Sequence, residues 1–303
     1  MNLGFVGIGH LGYPICVRLI DHGHRVAAFD IDDEALARIV SKGALRATSS
    51  ASAAAEAEVV LTCLPSPEAV WDAITGPDGV LVGARPGTTL LDLSTNDPER
   101  VGSLAELSRA AGVGMIDSPV AGGVPRASAG TLTLMVGGAP DDFEKVRPLL
   151  DCLGAHVFHV GPAGSGSIVK IANNLLAFCN LAAACEVFIA VERLGIPPER
   201  FLEILDVSSG GSAILERFHR KILPGNFSAE FTLDLAYKDV SLGLKLGDES
   251  GVPMVFPAMV KILMQQARAR GYGADDCCAM IRALEDVAGA TVRAETTGYS
   301  GVG

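Results

Sequence analysis

Lys170 and Asn174, four residues apart, have the strongest claim to chemistry in this chain. On a helix that spacing places both on one face, directly after the glycine-rich turn Gly164-Ser165-Gly166. A lysine among apolar neighbours such as Ile168, Val169 and Ile171 gives up its proton more readily than one in water. That suits it to exchange a proton with a hydroxyl or carbonyl oxygen. The segment alone equally allows a plainer role, in which Lys170 carries its charge out to solvent while Asn173 and Asn174 cap or crosslink helices. A second stretch runs Asp117-Ser118-Pro119-Val120-Ala121-Gly122-Gly123. Its glycine pair would expose backbone N–H groups at the end of a strand, a cradle suited to a carboxylate.

A third constellation opens the chain. Leu3-Gly4-Phe5-Val6 leads into Gly7-Ile8-Gly9-His10-Leu11-Gly12 and then an apolar helix. Strand, G-x-G-x-x-G and helix form the first unit of a dinucleotide-binding fold. In that reading Gly7 makes the tight turn, Gly9 lets the backbone approach a pyrophosphate, and Gly12 lets helix and strand pack closely. The helix N-terminus offers its free N–H groups to the phosphates, and His10 sits on the loop facing solvent. Arg25-Val26-Ala27-Ala28-Phe29-Asp30 supplies the second strand and an acid placed to accept hydrogen bonds from an adenosine ribose. Asp32, Asp33 and Glu34 follow it, and Arg38 and Lys42 come only further along the helix. The expected cofactor is therefore NAD rather than NADP.

These residues need a scaffold, and the apolar pattern supplies one. Short apolar runs at 58–65, 88–95, 114–117, 132–136 and 156–160 alternate with amphipathic stretches at 33–42, 97–111 and 141–151. Such alternation predicts an α/β fold, a Rossmann-type, doubly wound, mainly parallel sheet. After Gly161-Pro162-Ala163-Gly164 the pattern becomes helical, with helices expected at 165–194, 198–207, 212–222, 232–250, 256–270 and 274–287. The expected domains are a dinucleotide-binding unit over 1–161 and an all-α substrate and oligomerisation unit over 162–303. The first helix would span roughly 45 Å. Being apolar nearly all round, it must be covered on several sides, in part by another subunit of a homodimer or homotetramer. A mobile tail is expected from Ala288.

Bulk properties exclude several classes. With 303 residues and a net charge of −11, the chain is large enough for two domains and a poor binder of nucleic acid or anionic membranes. Its seven cysteines form no CxxC pair and no metal-ligand spacing with histidine, so free thiols and no metal are expected. Lys170, Asn173, Asn174, Asn180, Glu186 and Glu192 interrupt the longest apolar tract, which reads as a buried soluble helix rather than a membrane span. A fingerprint strand starting near Met1 reads as a cytoplasmic protein without a signal peptide.

Taken together, the N-terminal fingerprint, Ser94-Thr95, Asp117 to Gly123, Gly164 to Asn174 and Phe231 to Asp239 resemble the β-hydroxyacid dehydrogenase family, over nearly the whole chain. The family includes 3-hydroxyisobutyrate dehydrogenase and 2-hydroxy-3-oxopropionate reductase. The resemblance implies that Lys170 is the catalytic lysine and that Asn174 helps hold the substrate. It implies that Ala121, Gly122 and Gly123 form the carboxylate site, with Phe231 and Asp239 lining the substrate cleft from the helical unit. Leu64 and Pro65 would flank the cofactor, with Thr95 and Lys238 near its nicotinamide end. Ala121 departs from the family's serine, which leaves the substrate's identity open. The implied activity is hydride transfer between NAD and a small anionic β-hydroxy acid or its semialdehyde. Two alternatives remain at this point: a reductase of a sulfonated aldehyde, or a cofactor-binding module without chemistry.

Overall fold

The computed structural model describes residues 1–294, so residues 295–303 of the expected mobile tail lie outside the described residues. Two compact units divide the chain, the first Met1–Ile171 and the second from Ala172 onward.

In chain order the first unit carries β1 (Asn2–Val6), α1 (Gly12–Asp21), β2 (Arg25–Phe29), α2 (Asp33–Val40), β3 (Leu45–Arg46), α3 (Ser50–Ala54), β4 (Val59–Thr62), α4 (Pro67–Thr75) and α5 (Val80–Gly83). It continues with β5 (Thr89–Asp92), α6 (Pro98–Ala110), β6 (Gly114–Asp117), β7 (Val120–Ala121), α7 (Gly123–Ala129), β8 (Leu132–Gly138), α8 (Pro140–Leu153) and β9 (Gly154–Gly161), then enters α9 (Ser165–Arg193). The strands form one sheet in the order β3-β2-β1-β4-β5-β6-β8-β7, with β9 paired to β8. From β3 to β6 every pairing is parallel. That is the strand order of a dinucleotide-binding sheet, and its direction of winding reverses between β1 and β4.

Alternation along the strands explains the layers. Leu3 and Phe5, Val59 and Leu61, Leu91, and Ile116 pack into one apolar cluster with helix residues such as Ile15 and Leu19. Val6, Val60, Leu90 and Met115 pack into another with Val70, Ile74 and Leu104. Successive side chains point to opposite faces, so a strand buried on both sides reads as a continuous apolar run. Helix starts are set locally: Asp32, Ser66 and Asp97 each accept a backbone N–H from the first turn of α2, α4 and α6.

The second unit is helical, with α10 (Pro198–Leu205), α11 (Leu233–Ser250), α12 (Val255–Ala269) and α13 (Met280–Ala288) following α9. The helix expected at 212–222 is not α-helical. A 3₁₀ turn (Ala213–Leu215) and a π turn (Phe218–Ile222) replace it. Gly210-Gly211 and Pro224-Gly225 bracket the segment, and Phe218 within it stacks on Phe188 with ring centres 4.1 Å apart. The helix expected from 274 begins only at Met280, because Asp276 caps a 3₁₀ turn over Cys277–Ala279.

Helix α9 falls where it was expected, to within one residue. Phe178, Leu181, Cys185 and Phe188 form a buried stripe in the core of the helical unit, yet Leu176 is 68% exposed and Val187 48%. Over an 18-residue window its mean hydropathy is 1.9, enough by length and composition to cross a membrane, and 44% of that window is buried. The chain by itself covers one side of this helix.

Gly12 shows how tightly the first turn is built. A Cβ there would collide with the carbonyl oxygen of Gly7 and come within 3.3 Å of Phe5, whereas a Cβ at Gly9 would meet no atom within 4 Å. Gly12→Ala is therefore expected to destabilise the fold by about 1–3 kcal/mol, read as a lower melting temperature, while Gly9→Ala leaves melting unchanged.

Candidate active site

Loops at the carboxyl ends of β1, β2, β4 and β5 hold the residues of the first unit expected to meet a cofactor, and Lys238 lies on α11. In the fingerprint turn Ile8 is buried, Leu11 half-buried, and Gly9 and His10 exposed. The turn is anchored by Asp30, whose Oδ2 accepts the Ile8 N–H at 2.5 Å and whose Oδ1 accepts the Asp32 N–H at 2.8 Å. Asp30 thus fixes the turn, and each oxygen keeps a lone pair for a ribose hydroxyl. Around the acidic stretch that follows, Arg46 pairs with Asp33, and the Arg38 guanidinium lies 5.3 Å from the centre of the Tyr13 ring.

Asp92, at the end of β5, braces the next two loops. It accepts from Thr62 Oγ1 at 2.8 Å, the Ser94 N–H at 3.0 Å and Asn96 Nδ2 at 3.0 Å. Ser94 Oγ in turn accepts the Leu64 N–H at 2.9 Å. Leu64-Pro65 and Ser94-Thr95 are thereby tied together. Burial pushes the Asp92 carboxyl up, against the opposing pull of those hydrogen bonds. Sequence reasoning gave Asp92 no role, although a carboxylate closing an apolar strand was the available signal.

The expected carboxylate cradle is more structured than a loop. Val120 and Ala121 pair antiparallel with Leu134 and Thr133 of β8. Gly122 (φ +126°) and Gly123 (φ +63°) then turn the chain into α7, a backbone path that side-chain-bearing residues rarely adopt. Both glycines are exposed and Ala121 is half-buried. The first amides of α7 have no partner inside the helix.

Asp117 ends β6 in register with Asp92. Its Oδ1 accepts the Gly164 N–H at 2.8 Å and its Oδ2 the Ser167 N–H at 2.7 Å, capping α9. Burial pushes this carboxyl up to about 6, against stabilisation from the Gly164 and Ser167 amides and the Ser167 hydroxyl. Lys170 follows one turn later and is half-buried.

In the helical unit Asn174 is buried and donates from Nδ2 to Asp239 Oδ2 at 2.6 Å. Lys238 Nζ lies 3.1 Å from Asp239 Oδ1. Phe231 stacks on Phe178 with ring centres 6.1 Å apart. Asn174, Asp239 and Lys238 thus share one polar cluster, and Phe231 stands on α9 through Phe178. The seven cysteines are all free. Among the described residues one group, Asp276, Cys277 and Cys278, is close enough to hold a metal. Its carboxylate is already engaged by Arg217 Nη1 at 2.8 Å and by the Glu230, Phe231 and Cys278 amides.

Two family models together match most of the chain. A sequence model of the NAD-binding domain of 6-phosphogluconate dehydrogenase matches residues 2–161. A second model, the NAD-binding region of NADP-dependent 3-hydroxyisobutyrate dehydrogenase, matches residues 164–284. The chain is 36% identical to 2-(hydroxymethyl)glutarate dehydrogenase of Eubacterium barkeri, covering 96% of this chain and 97% of that one. It belongs to the β-hydroxyacid dehydrogenase family. Another relative, 3-sulfolactaldehyde reductase of Escherichia coli, is 31% identical over 96% of this chain and 98% of its own. The crystal structure of 3-hydroxyisobutyrate dehydrogenase from Salmonella typhimurium superposes with a TM-score of 0.86 at 26% identity, covering 93% of this chain and 99% of that one. As a member of this family the chain is an oxidoreductase acting on a CH–OH group with a nicotinamide cofactor.

The buried Asp117 has a consequence for stability. Its folded value of about 6 lies above the ordinary 3.8, so the folded state holds its proton more tightly than the unfolded chain. The stability this provides is fully present below pH 3.8 and is lost as pH rises through about 6. Urea midpoints of wild type and Asp117→Asn should therefore differ more in favour of wild type at pH 4.5 than at pH 7. The neighbouring Asp92 charge adds to the rise at Asp117, so the difference reads the coupled pair.

Proposed function

We propose that this β-hydroxyacid dehydrogenase is NAD-preferring and acts on a small β-hydroxy acid or its semialdehyde, with Lys170 as the general acid–base group. The observation that carries this reading is the pair of adjacent turns of α9. One is capped by Asp117 and leads to Lys170, and the next places Asn174 against Asp239.

The fingerprint fits a dinucleotide: Gly12 is required by packing, and Gly9 leaves its amide approachable. Gly7, Ile8, Gly9, His10, Leu11 and Gly12 would hold the pyrophosphate and Asp30 the ribose, with Leu64, Pro65, Thr95 and Lys238 along the rest of the cofactor. Bound nicotinamide supplies the hydride acceptor or donor. On oxidation Lys170 Nζ takes the hydroxyl proton as the carbinol C–H leaves as hydride; on reduction it returns that proton to the carbonyl oxygen. The exposed backbone of Gly122 and Gly123 would offer its amides to the substrate carboxylate, and Asn174, fixed by Asp239, orients the substrate.

Preference for NAD rests on electrostatics beside Asp30. A 2′-phosphate would meet Asp30, Asp32, Asp33 and Glu34, while the nearby guanidiniums of Arg46 and Arg38 are occupied by Asp33 and Tyr13. The apolar residues left exposed on α9 and on α12 (Val255, Phe256, Met259 and Ile262) support a homodimer or homotetramer.

Steady-state kinetics on a panel of hydroxy acids, including 2-(hydroxymethyl)glutarate and sulfonated analogues, tests the reading with both cofactors. A kcat/KM about 5- to 150-fold higher with NAD is expected for a mismatch worth about 1–3 kcal/mol. Equal or better efficiency with NADP would remove the role given to Asp30. Lys170→Ala should lower kcat by about 10²–10⁴-fold with cofactor binding unchanged, and retained turnover would take Lys170 out of the mechanism.

A further inference from the structure

We propose that Asp117 is the positioning residue for Lys170, its carboxylate fixing the first turn of α9 on the end of β6 and so setting where the lysine stands relative to Gly122 and Gly123. The inference rests on the acid–base reading of Lys170, and its argument is geometric. The two arms that leave Asp117 are both stiff. Toward the glycine pair, the Ser118 N–H donates to the Asp92 carbonyl at 2.7 Å and the Met135 N–H to the Pro119 carbonyl at 3.2 Å. Val120 and Ala121 are then held in the ladder with β8. Toward the lysine, the Asp117 side chain takes the Gly164 and Ser167 amides through separate oxygens, and Lys170 is one helical turn beyond Ser167. One residue therefore joins the anion cradle to the proton-exchanging amine.

Two glycines leave the room for this junction. A Cβ at Gly137, the register partner of Asp117, would strike Asp117 Oδ1, the Pro162 carbonyl at 2.7 Å and the Gly166 nitrogen at 2.8 Å. A Cβ at Gly166 would strike the Met135 carbonyl and come within 2.8 Å of the Asp117 carbonyl. The helix start is pressed against β6 and β8 with no slack.

The carboxylate gives each amide its own acceptor oxygen. Asparagine offers one acceptor oxygen, and its NH₂ group would face the second amide N–H. Burying the carboxylate instead costs the folded state at neutral pH, as its raised titration shows. The carboxylate sets the first turn of α9 before Lys170, and a misplacement of about 1 Å is enough to cost about 10²-fold in rate.

Asp117→Asn and Gly166→Ala test the proposal, the second keeping the carboxylate but crowding the helix start against the Asp117 carbonyl and, at 3.0 Å, Asp117 Oδ2. The position of Lys170 is read directly by competitive acetylation of the folded protein with acetic anhydride, quantified by mass spectrometry against the exposed Lys42 and Lys145. In both variants we expect the relative labelling of Lys170 to change at least about threefold. We expect kcat on the best hydroxy acid to fall by about 10- to 100-fold, with KM within about threefold and cofactor affinity within about twofold of wild type. Unchanged Lys170 labelling in the folded variants would overturn the proposal, as would unchanged kcat. Parallel loss of kcat, KM and cofactor affinity, or failure of both variants to fold, would assign Asp117 a purely structural role and overturn it equally. Should only Asp117→Asn fail to fold, Gly166→Ala decides. If no hydroxy acid is turned over at all, the acid–base reading falls, while the labelling result still judges Asp117.

Discussion

Two buried carboxylates at the ends of neighbouring parallel strands hold the loops on which this enzyme depends. Asp92 and Asp117 stand in register on β5 and β6, and each spends its oxygens on groups from other loops. Asp92 ties the Thr62, Ser94 and Asn96 segments together, and Asp117 caps α9. A parallel sheet presents its carboxyl ends to ligand, and loops there are short of backbone partners of their own. Charged acceptors answer that need with stronger hydrogen bonds than neutral ones. Burial lifts both carboxyls above the ordinary carboxylate range, so the ordering is achieved against a desolvation cost. Buried polar networks of this kind are effective when every member is satisfied and damaging when one is lost.

Much of this was legible in the amino-acid sequence because it follows from period and punctuation. Strands buried on both faces read as apolar runs, and β1, β2, β4, β5, β6, β8 and β9 all fall on runs that the sequence shows. The glycine fingerprint marked its own turn, and the helices α9 to α12 matched their periodicity to within a few residues. The two-residue strands β3 and β7 and the short helices α3, α5 and α7 were missed, since so few residues carry no period. At 212–222 the chain winds as a 3₁₀ turn and then a π turn, windings that no local apolar period separates from an α-helix.

The site was half legible. Lys170, Asn174 and the glycine pair are marked by residue type and spacing, but their supports are not. That Asp30 holds the Ile8 amide, that Asp239 holds Asn174 across 65 positions, and that Asp117 reaches Gly164 and Ser167 are long-range facts that no local window contains. Strand-terminal acids were visible as letters, and only the register of the sheet gives them work. Helix α9 shows the converse: its apolar perimeter was plain, and the structure shows which side the chain itself covers.

The proposed role of Lys170 is to move the hydroxyl proton while hydride leaves the carbinol carbon. Deuterium transfer from a β-hydroxy acid labelled at that carbon to the nicotinamide ring, followed by NMR in Lys170→Ala with and without a small primary amine, tests it most directly. Transfer is expected to be nearly lost in the variant and to rise with added ethylamine, which replaces the missing base. Transfer at the wild-type rate without Lys170, or a loss that no amine restores although the cofactor still binds, would contradict that role.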